Sequence, residues 1–186
     1  MNIESREKLA EEFSKLGYRI GAEIGVLSGG FSDHILSHWN GILISIDRWK
    51  VSNDGGIDLT SVDDLRYAGC YQMCKDRLAR FTGRSIVLIQ DSLNAHQNYP
   101  NGFFDFIYLD TCHNRDHVIV EMNTWWDKIR TGGMFCGHDY NDPGNQGFTV
   151  HEAVHEFCNK KKLKFYVTGE PDNLSRSWVI PKDSFK

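Results

Sequence analysis

Residues 19–47 read RIGAEIGVLSGGFSDHILSHWNGILISID, and the fold is decided within this stretch. The apolar runs Arg19 to Gly25 and Ile42 to Asp47 predict two strands, with a helix near Ser32 to Trp39 between them. Gly25, Gly29 and Gly30 crowd the turn that follows Glu23. Glycine there lets backbone N–H groups approach a ligand and lets a helix start against the strand end. Asp47 closes the second strand about twenty residues on, where an acidic side chain can accept both hydroxyls of a ribose. Together these features point to an adenosine-containing cofactor.

Bulk composition narrows the class. The chain has 186 residues, 40% hydrophobic and 25% charged, which suits one soluble domain with one core. A formal net charge of -4 lacks the basic excess of a nucleic-acid binder, so no nucleic-acid partner is expected. Lys160, Lys161, Lys162 and Lys164 cluster as the solvated end of a helix does. The cysteines at 70, 74, 112, 136 and 158 show no C-x-x-C spacing and are expected as reduced, mostly buried thiols. The opening MNIESREKLAEEF has no signal-peptide core, and no apolar run approaches membrane-spanning length. A cytoplasmic protein with no membrane partner is the expectation. The sequence is compatible with a homo-oligomer and does not specify one.

Outward from the opening stretch, Leu9, Phe13 and Leu16 share a helical face that Gly17 is placed to end. Residues 50–60, KVSNDGGIDLT, read as an exposed loop. A long helix follows with Leu65, Ala68, Tyr71, Cys74, Leu78 and Phe81 on one stripe, and Ser61 and Asp64 have capping-box spacing. Ile86 to Ile89 is a short continuous apolar run, as expected for a strand buried on both faces of a parallel sheet, and Phe103 to Leu109 is another. Val118, Met122, Trp125, Trp126 and Ile129 mark an amphipathic helix, Gly132 and Gly133 its stop, and Met134 to Gly137 a fifth strand. NDPGNQG is a turn, and Val150, Val154 and Phe157 mark the last helix. Two final strands, near Phe165 to Thr168 and Ser177 to Ile180, flank the turn-like GEPDNLS. With no helix between them they must form a hairpin. The alternation predicts an α/β fold, a mostly parallel sheet with helices on both faces.

Three segments carry a family resemblance: EIGVLSGGFS at the cofactor turn, DFIYLDTCH at the fourth strand's end and GGMFCGHDY at the fifth. In this order and on these elements the chain resembles the class I S-adenosylmethionine-dependent methyltransferases. It is most similar to the small set whose fifth strand ends on His-Asp-Tyr, which includes sugar and macrolide O-methyltransferases. The resemblance implies a Rossmann-like, seven-stranded, mostly parallel sheet with a C-terminal antiparallel hairpin. It makes residues 1–186 one methyltransferase domain, with 1–17 as a helix preceding the core. By position it places Glu23, Gly25 and Gly29 beside the methionine part of S-adenosylmethionine, Asp47 on the ribose, and Asp91 and Ser92 at the adenine. Carboxylates accept from ribose hydroxyls or the adenine amine, and serine can satisfy a ring nitrogen. Acidic side chains also favour a cationic sulfonium. Each of these residues has a plain structural reading too, in turn formation or strand-end solvation.

The reaction centre belongs at the carboxyl ends of strands four and five, where the sequence places Asp110, His113, His138 and Asp139. Methyl transfer from a sulfonium needs chiefly alignment and deprotonation of the acceptor. In one route Asp110 and Asp139 hold a divalent cation of the Mg2+ type, which orients a hydroxyl and lowers its pKa. In the other, His113 or His138 is the general base. Metal-dependent relatives commonly carry a second acidic residue where this chain has His138, and both routes stay open. The acceptor implied by the resemblance is a small hydroxylated molecule, a sugar or secondary metabolite, methylated on oxygen. Nitrogen acceptors remain an alternative.

Two rival enzymes are legible. Residues 151–155, HEAVH, match the zinc-protease pattern, with His151 and His155 as ligands and Glu152 as base. No third histidine follows; Cys158 and Lys161 occupy that spacing, and the stripe of Val150, Val154 and Phe157 is explained by packing. A nicotinamide-dependent oxidoreductase would use Asp47 equally well. The turn lacks G-x-G-x-x-G order, because Val26, Leu27 and Ser28 separate Gly25 from Gly29, and the terminal hairpin also argues against it. A cofactor-binding protein without catalysis is a third reading. Trp49, Tyr99 and Tyr140 are candidate acceptor contacts or ordinary partly buried aromatics, and Trp125 and Trp126 are expected in or beside the core.

Overall fold

The structure, a computed structural model, describes residues 3–50, 64–141, 147–171 and 174–183. In chain order the elements are α1 (Lys8–Lys15), β1 (Ile20–Ile24), α2 (Gly30–His38), β2 (Ile42–Asp47), α3 (Asp64–Leu78), β3 (Ser85–Ile89) and α4 (Ser92–Ala95). Then come β4 (Phe104–Leu109), α5 (Arg115–Trp126), β5 (Ile129–Gly137), α6 (Val150–Lys161), β6 (Tyr166–Val167) and β7 (Trp178–Lys182). The strands form one seven-stranded sheet in the order β3-β2-β1-β4-β5-β7-β6. β1 to β5 pair in parallel, and β7 runs antiparallel to both β5 and β6. The expected sheet and terminal hairpin are therefore present.

The pleat sorts side chains onto two faces. Ile24, Ile46, Ile107, Phe135, Trp178 and Ile180 pack under α5 and α6 against Met122, Trp125 and Phe157. The alternate residues Leu43, Phe106, Tyr108, Met134 and Val179 pack under α1, α2 and α3 against Phe13, Ile35 and Leu78. Fully burying one such side chain contributes about 1.5–3 kcal/mol, so the two layers hold the sheet rigid beneath its carboxyl edge. At the sheet's centre the Phe106 ring stacks on Phe13 with centroids 3.7 Å apart. Gly21 on β1 makes room for that ring, since a Cβ there would lie 2.1 Å from it.

Several local expectations are corrected. β3 is an edge strand rather than one buried on both faces, and Ile86 and Ile89 are 44% and 57% exposed. The α5 helix ends at Trp126, so Ile129 opens β5 and Gly132 and Gly133 lie inside that strand. They form an irregularity where pairing with β4 jumps from Ile129 to Met134, and a Cβ at Gly133 would sit 2.5 Å from the Asp105 carbonyl oxygen. Leu16 is exposed, because Gly17 at φ 67° turns the chain and Tyr18 enters the core instead. On α3, Ala68 is exposed and Tyr67 is buried alongside Cys74 and Leu78. Most of the 50–60 loop, Ser61 of the expected cap, and the middles of NDPGNQG and GEPDNLS lie outside the described residues. Among the described residues no helix is long and apolar enough to cross a membrane.

Gly21→Ala should destabilise the fold by about 1–3 kcal/mol through overpacking against Phe106, read as a lower urea midpoint. An unchanged midpoint would show that the Phe106–Phe13 stack can yield.

Candidate active site

The turn after β1 is built by a carboxylate. Asp47 Oδ2 accepts from the backbone N–H groups of Val26 at 2.8 Å and Leu27 at 2.9 Å, while its Oδ1 accepts from Trp49 N–H at 2.9 Å. Trp49 closes the arrangement by donating its indole N–H to the Leu27 carbonyl at 2.7 Å. Leu27 is thereby held at φ 51°, a conformation uncommon for any residue but glycine. Gly25 has φ 84°, and a Cβ there would fall 2.0 Å from the Asp110 carbonyl oxygen. The backbones of the β1 and β4 ends thus approach as only glycine allows.

Behind this turn lies a cavity of about 400 Å³ at the carboxyl edge of the sheet. Glu23, Gly25, Asp47, Asp91, Ser92, Asp110 and His113 line it, which brings together most of the residues singled out from sequence. Gly29 is not among the lining residues. It begins α2 at φ 76° and packs on α3, where a Cβ would be 3.0 Å from Cys74 Sγ, and Gly30 lines the cavity beside it. Asp91 caps α4, accepting from Leu93 N–H at 2.9 Å, and its other oxygen lies 3.6 Å from Arg48. Glu23 is buried and accepts from Ser32 Oγ, which stands 2.9 Å from Ser45 Oγ. Burial pushes the Glu23 carboxyl up to about 8, against the downward pull of Ser32 and Arg6.

At the other end, His113 lines the cavity and His138 and Asp139 stand behind it, lining only a small void. His113 Nε2 is 2.8 Å from Asp139 Oδ2, and the imidazole stacks on Phe148 with centroids 3.8 Å apart. Ser175 donates to Asp139 Oδ1 at 2.7 Å, and His138 Nδ1 lies 3.1 Å from the same oxygen. Burial alone would raise the Asp139 pKa, but the hydrogen bonds from His113, His138 and Ser175 outweigh it and hold the group below the ordinary carboxylate range. Asp139 sits at φ 52°, a left-handed turn that aspartate tolerates better than most residues.

Arg6 and Glu121 are among the lining residues not anticipated from sequence. Arg6 reaches in from the segment before α1, 2.8 Å from Asp110 Oδ2, with its guanidinium 4.0 Å over the Phe31 ring. Glu121 on α5 is buried and accepts from both Ser92 Oγ and Thr111 Oγ1, with His117 Nε2 at 3.4 Å. Its position beside Val118 and Met122 on the buried face is the only signal the sequence offered. Conversely, Trp49, Tyr99 and Tyr140 do not line the cavity. Trp49 braces the turn, Tyr99 packs on Phe104, and the Tyr140 hydroxyl is 2.9 Å from His155 Nε2.

Metal binding can be weighed from the donors. Among the described residues Asp110, His113 and Asp139 are the group able to converge, with donor atoms within 4.8 Å of one another. Two of these would-be ligands are already hydrogen-bonded to each other, and a guanidinium occupies the third. A magnesium-type ion prefers an all-oxygen octahedral shell, so an imidazole and an adjacent guanidinium fit it poorly. His151 and His155 are exposed on α6 and converge on no third donor among the described residues.

The pattern of a family described as a methyltransferase domain matches residues 20–140, well over half of the chain. No curated protein matches the sequence significantly. Similar solved structures include an O-methyltransferase from Bacillus cereus in complex with S-adenosylhomocysteine, at 16% identity and TM-score 0.65, covering 95% of this chain and 80% of that one. The N-methyltransferase NodS from Bradyrhizobium japonicum aligns at 14% identity and TM-score 0.64, covering 96% and 95%. A methyltransferase from Podospora anserina with S-adenosylhomocysteine bound aligns at 12% identity and TM-score 0.65, covering 96% and 78%. At these identities the likeness is one of fold.

The raised Glu23 pKa has a measurable consequence. The unfolded chain releases that proton near 4.5 and the folded chain near 8, so the folded state binds more protons between those values. Stability should therefore fall as pH rises through this window, and Glu23→Gln should remove that decline. Urea midpoints at pH 5 and pH 8 test it, and an identical slope in both proteins would discharge Glu23 as the source.

Proposed function

The chain belongs to the methyltransferase-domain family as a class I, S-adenosylmethionine-dependent enzyme. From that premise we propose that it methylates an oxygen of a small hydroxylated acceptor, a sugar or secondary metabolite, with His113 as general base and no metal. The observation that carries this reading is the His113–Asp139 pair, with His113 on the wall of the same cavity that Gly25, Asp47 and Asp110 line.

S-adenosylmethionine supplies a methyl group on an excellent leaving group. In this reading Asp47 would hold the ribose, the backbone at Gly25 would lie against the methionine part, and Asp91, Ser92 and Glu121 would meet the adenine, a reading supported by their all lining one cavity. Asp47 has two oxygens and about four lone-pair sites, so its three backbone bonds leave acceptor capacity toward a ligand. His113 takes the proton from the acceptor hydroxyl. Asp139 orients its ring and stabilises the imidazolium, a role that its pairing with Nε2 suits. His138 and Ser175 hold Asp139 in place from behind. Asp110 is paired with Arg6, which favours an electrostatic part for it over metal ligation.

His113→Gln should reduce methyl transfer by about 10²–10⁴-fold, the usual worth of a general base, while affinity for S-adenosylhomocysteine stays within about twofold. Labelled-methyl transfer to a panel of hydroxylated acceptors reads the rate, and calorimetry reads the affinity. Activity abolished by chelator and restored by magnesium would overturn the metal-free assignment.

Asp47→Ala should weaken S-adenosylhomocysteine binding by about 1–3 kcal/mol, the cost of losing buried hydrogen bonds. Unchanged affinity in the same titration would remove Asp47 from the cofactor site.

A further inference from the structure

Asp47, Asp91, Asp110 and Glu121 make the cavity wall acidic. Such a wall suits a sulfonium and an ammonium, but the proposed cofactor also carries an α-carboxylate, which in an acidic, partly dry site requires a cation. Two cationic side chains on the wall, Arg48 and Lys50, follow Asp47 closely in the chain, toward the adenosine end, with Arg48 3.6 Å from Asp91. Arg6 lies at the opposite end, against Asp110 and the Phe31 ring at the start of α2. With the ribose on Asp47, the amino-acid end of the cofactor falls beside Arg6.

We infer that Arg6 receives the cofactor's α-carboxylate, and that the Arg6–Asp110 ion pair opens to admit the zwitterion, with the ammonium taken by Asp110. This rests on the S-adenosylmethionine reading above and goes beyond it, because residue 6 lies outside the part of the chain that matches the family. Three features of Arg6 support it. Its Nε is buried and has no hydrogen-bond partner, so the guanidinium has a donor to offer. Its head is already desolvated over an aromatic face, which lowers the further cost of pairing with an anion. Its backbone is tied down, with Arg6 N–H donating to Glu170 and Gly169 N–H donating to the Ile3 carbonyl at 3.0 Å. The segment before α1 is thus a strap between the β6–β7 connection and the cofactor site.

The test compares S-adenosylhomocysteine with 5′-deoxy-5′-methylthioadenosine, which keeps the adenosine and sulfur but lacks the amino-acid end. In the Arg6→Gln protein, affinity for S-adenosylhomocysteine should fall about 10- to 100-fold, the worth of a charge-assisted hydrogen bond, with methylthioadenosine binding unchanged. Arg6→Lys should recover part of the loss. Equal loss for both ligands would make Arg6 a structural residue, and no loss for either would hand it to the acceptor; each result overturns the inference. Should Arg6→Gln fail to fold, the wild type still decides. It should bind the decarboxylated analogue of S-adenosylhomocysteine at least about tenfold more weakly than the parent, and equal affinity would overturn the assignment. A wild type that binds none of the three ligands would sink the cofactor reading itself, a failure visible before any variant is made.

Discussion

The Asp47 carboxylate accepts three backbone N–H bonds, from Val26, Leu27 and Trp49, and the cavity depends on the turn those bonds hold. The chain leaves β1 through Gly25 and must reverse into α2 within a few residues, passing Leu27 at a positive φ. Nothing in regular secondary structure satisfies the N–H groups exposed by that reversal. A carboxylate projecting from the neighbouring parallel strand does so and anchors the turn to β2. The same side chain is therefore both scaffold and proposed ribose acceptor. Its geometry is fixed before any ligand arrives, which reduces the ordering cost of binding.

Charged side chains are gathered around that scaffold. Glu23 and Glu121 are almost wholly buried, and each accepts from hydroxyls, Glu23 from Ser32 and Glu121 from Ser92 and Thr111. Burial keeps the proton on Glu23 up to about 8, so the acidic potential of the cavity comes from the other carboxylates, Asp47, Asp91, Asp110 and Glu121. Arg6 offsets part of it beside Asp110. Burial tends to lower the pKa of that guanidinium, yet Tyr108, Asp110 and Glu23 outweigh the effect and keep it raised. The site is electrostatically uneven: carboxylates run along the cavity, Arg48 and Lys50 line it next to Asp47, and Arg6 lines it beside Asp110. A positive sulfonium joined to an amino acid has the complementary pattern.

What could be read from sequence follows what local pattern determines. The alternation of strands and helices, the glycine turn, the acid at the end of β2 and the terminal hairpin are all encoded within short windows, and the structure contains them. Misreadings arose where a neighbour distant in sequence decides. Ile86 to Ile89 is as apolar as an inner strand, but β3 has only β2 beside it, and its outer side chains face solvent. Gly132 and Gly133 resemble a helix stop, yet Trp126 already ends α5, and the glycines accommodate an irregular register against β4. Arg6 was illegible for the same reason. It sits in a charged, unpatterned segment, and only the contacts of Ile3 and Arg6 with Gly169 and Glu170 carry it to the cavity.

The His-Asp-Tyr triplet at the end of β5 shows how the same limit acts on chemistry. In sequence the triplet reads as a set of candidates for direct contact with substrate, yet only His113, from the end of β4, lines the main cavity, and His138 and Asp139 lie behind it. Tyr140 points to another task, its hydroxyl meeting His155 on α6. Asp139 can reach His113 because its left-handed backbone turns the side chain back across the strand ends. A β-branched or bulky residue would strain that conformation, and a neutral one would lose the charge that favours a protonated imidazole. His138 fits the same logic: its imidazole gives Asp139 another donor, where a carboxylate would add a further acceptor instead.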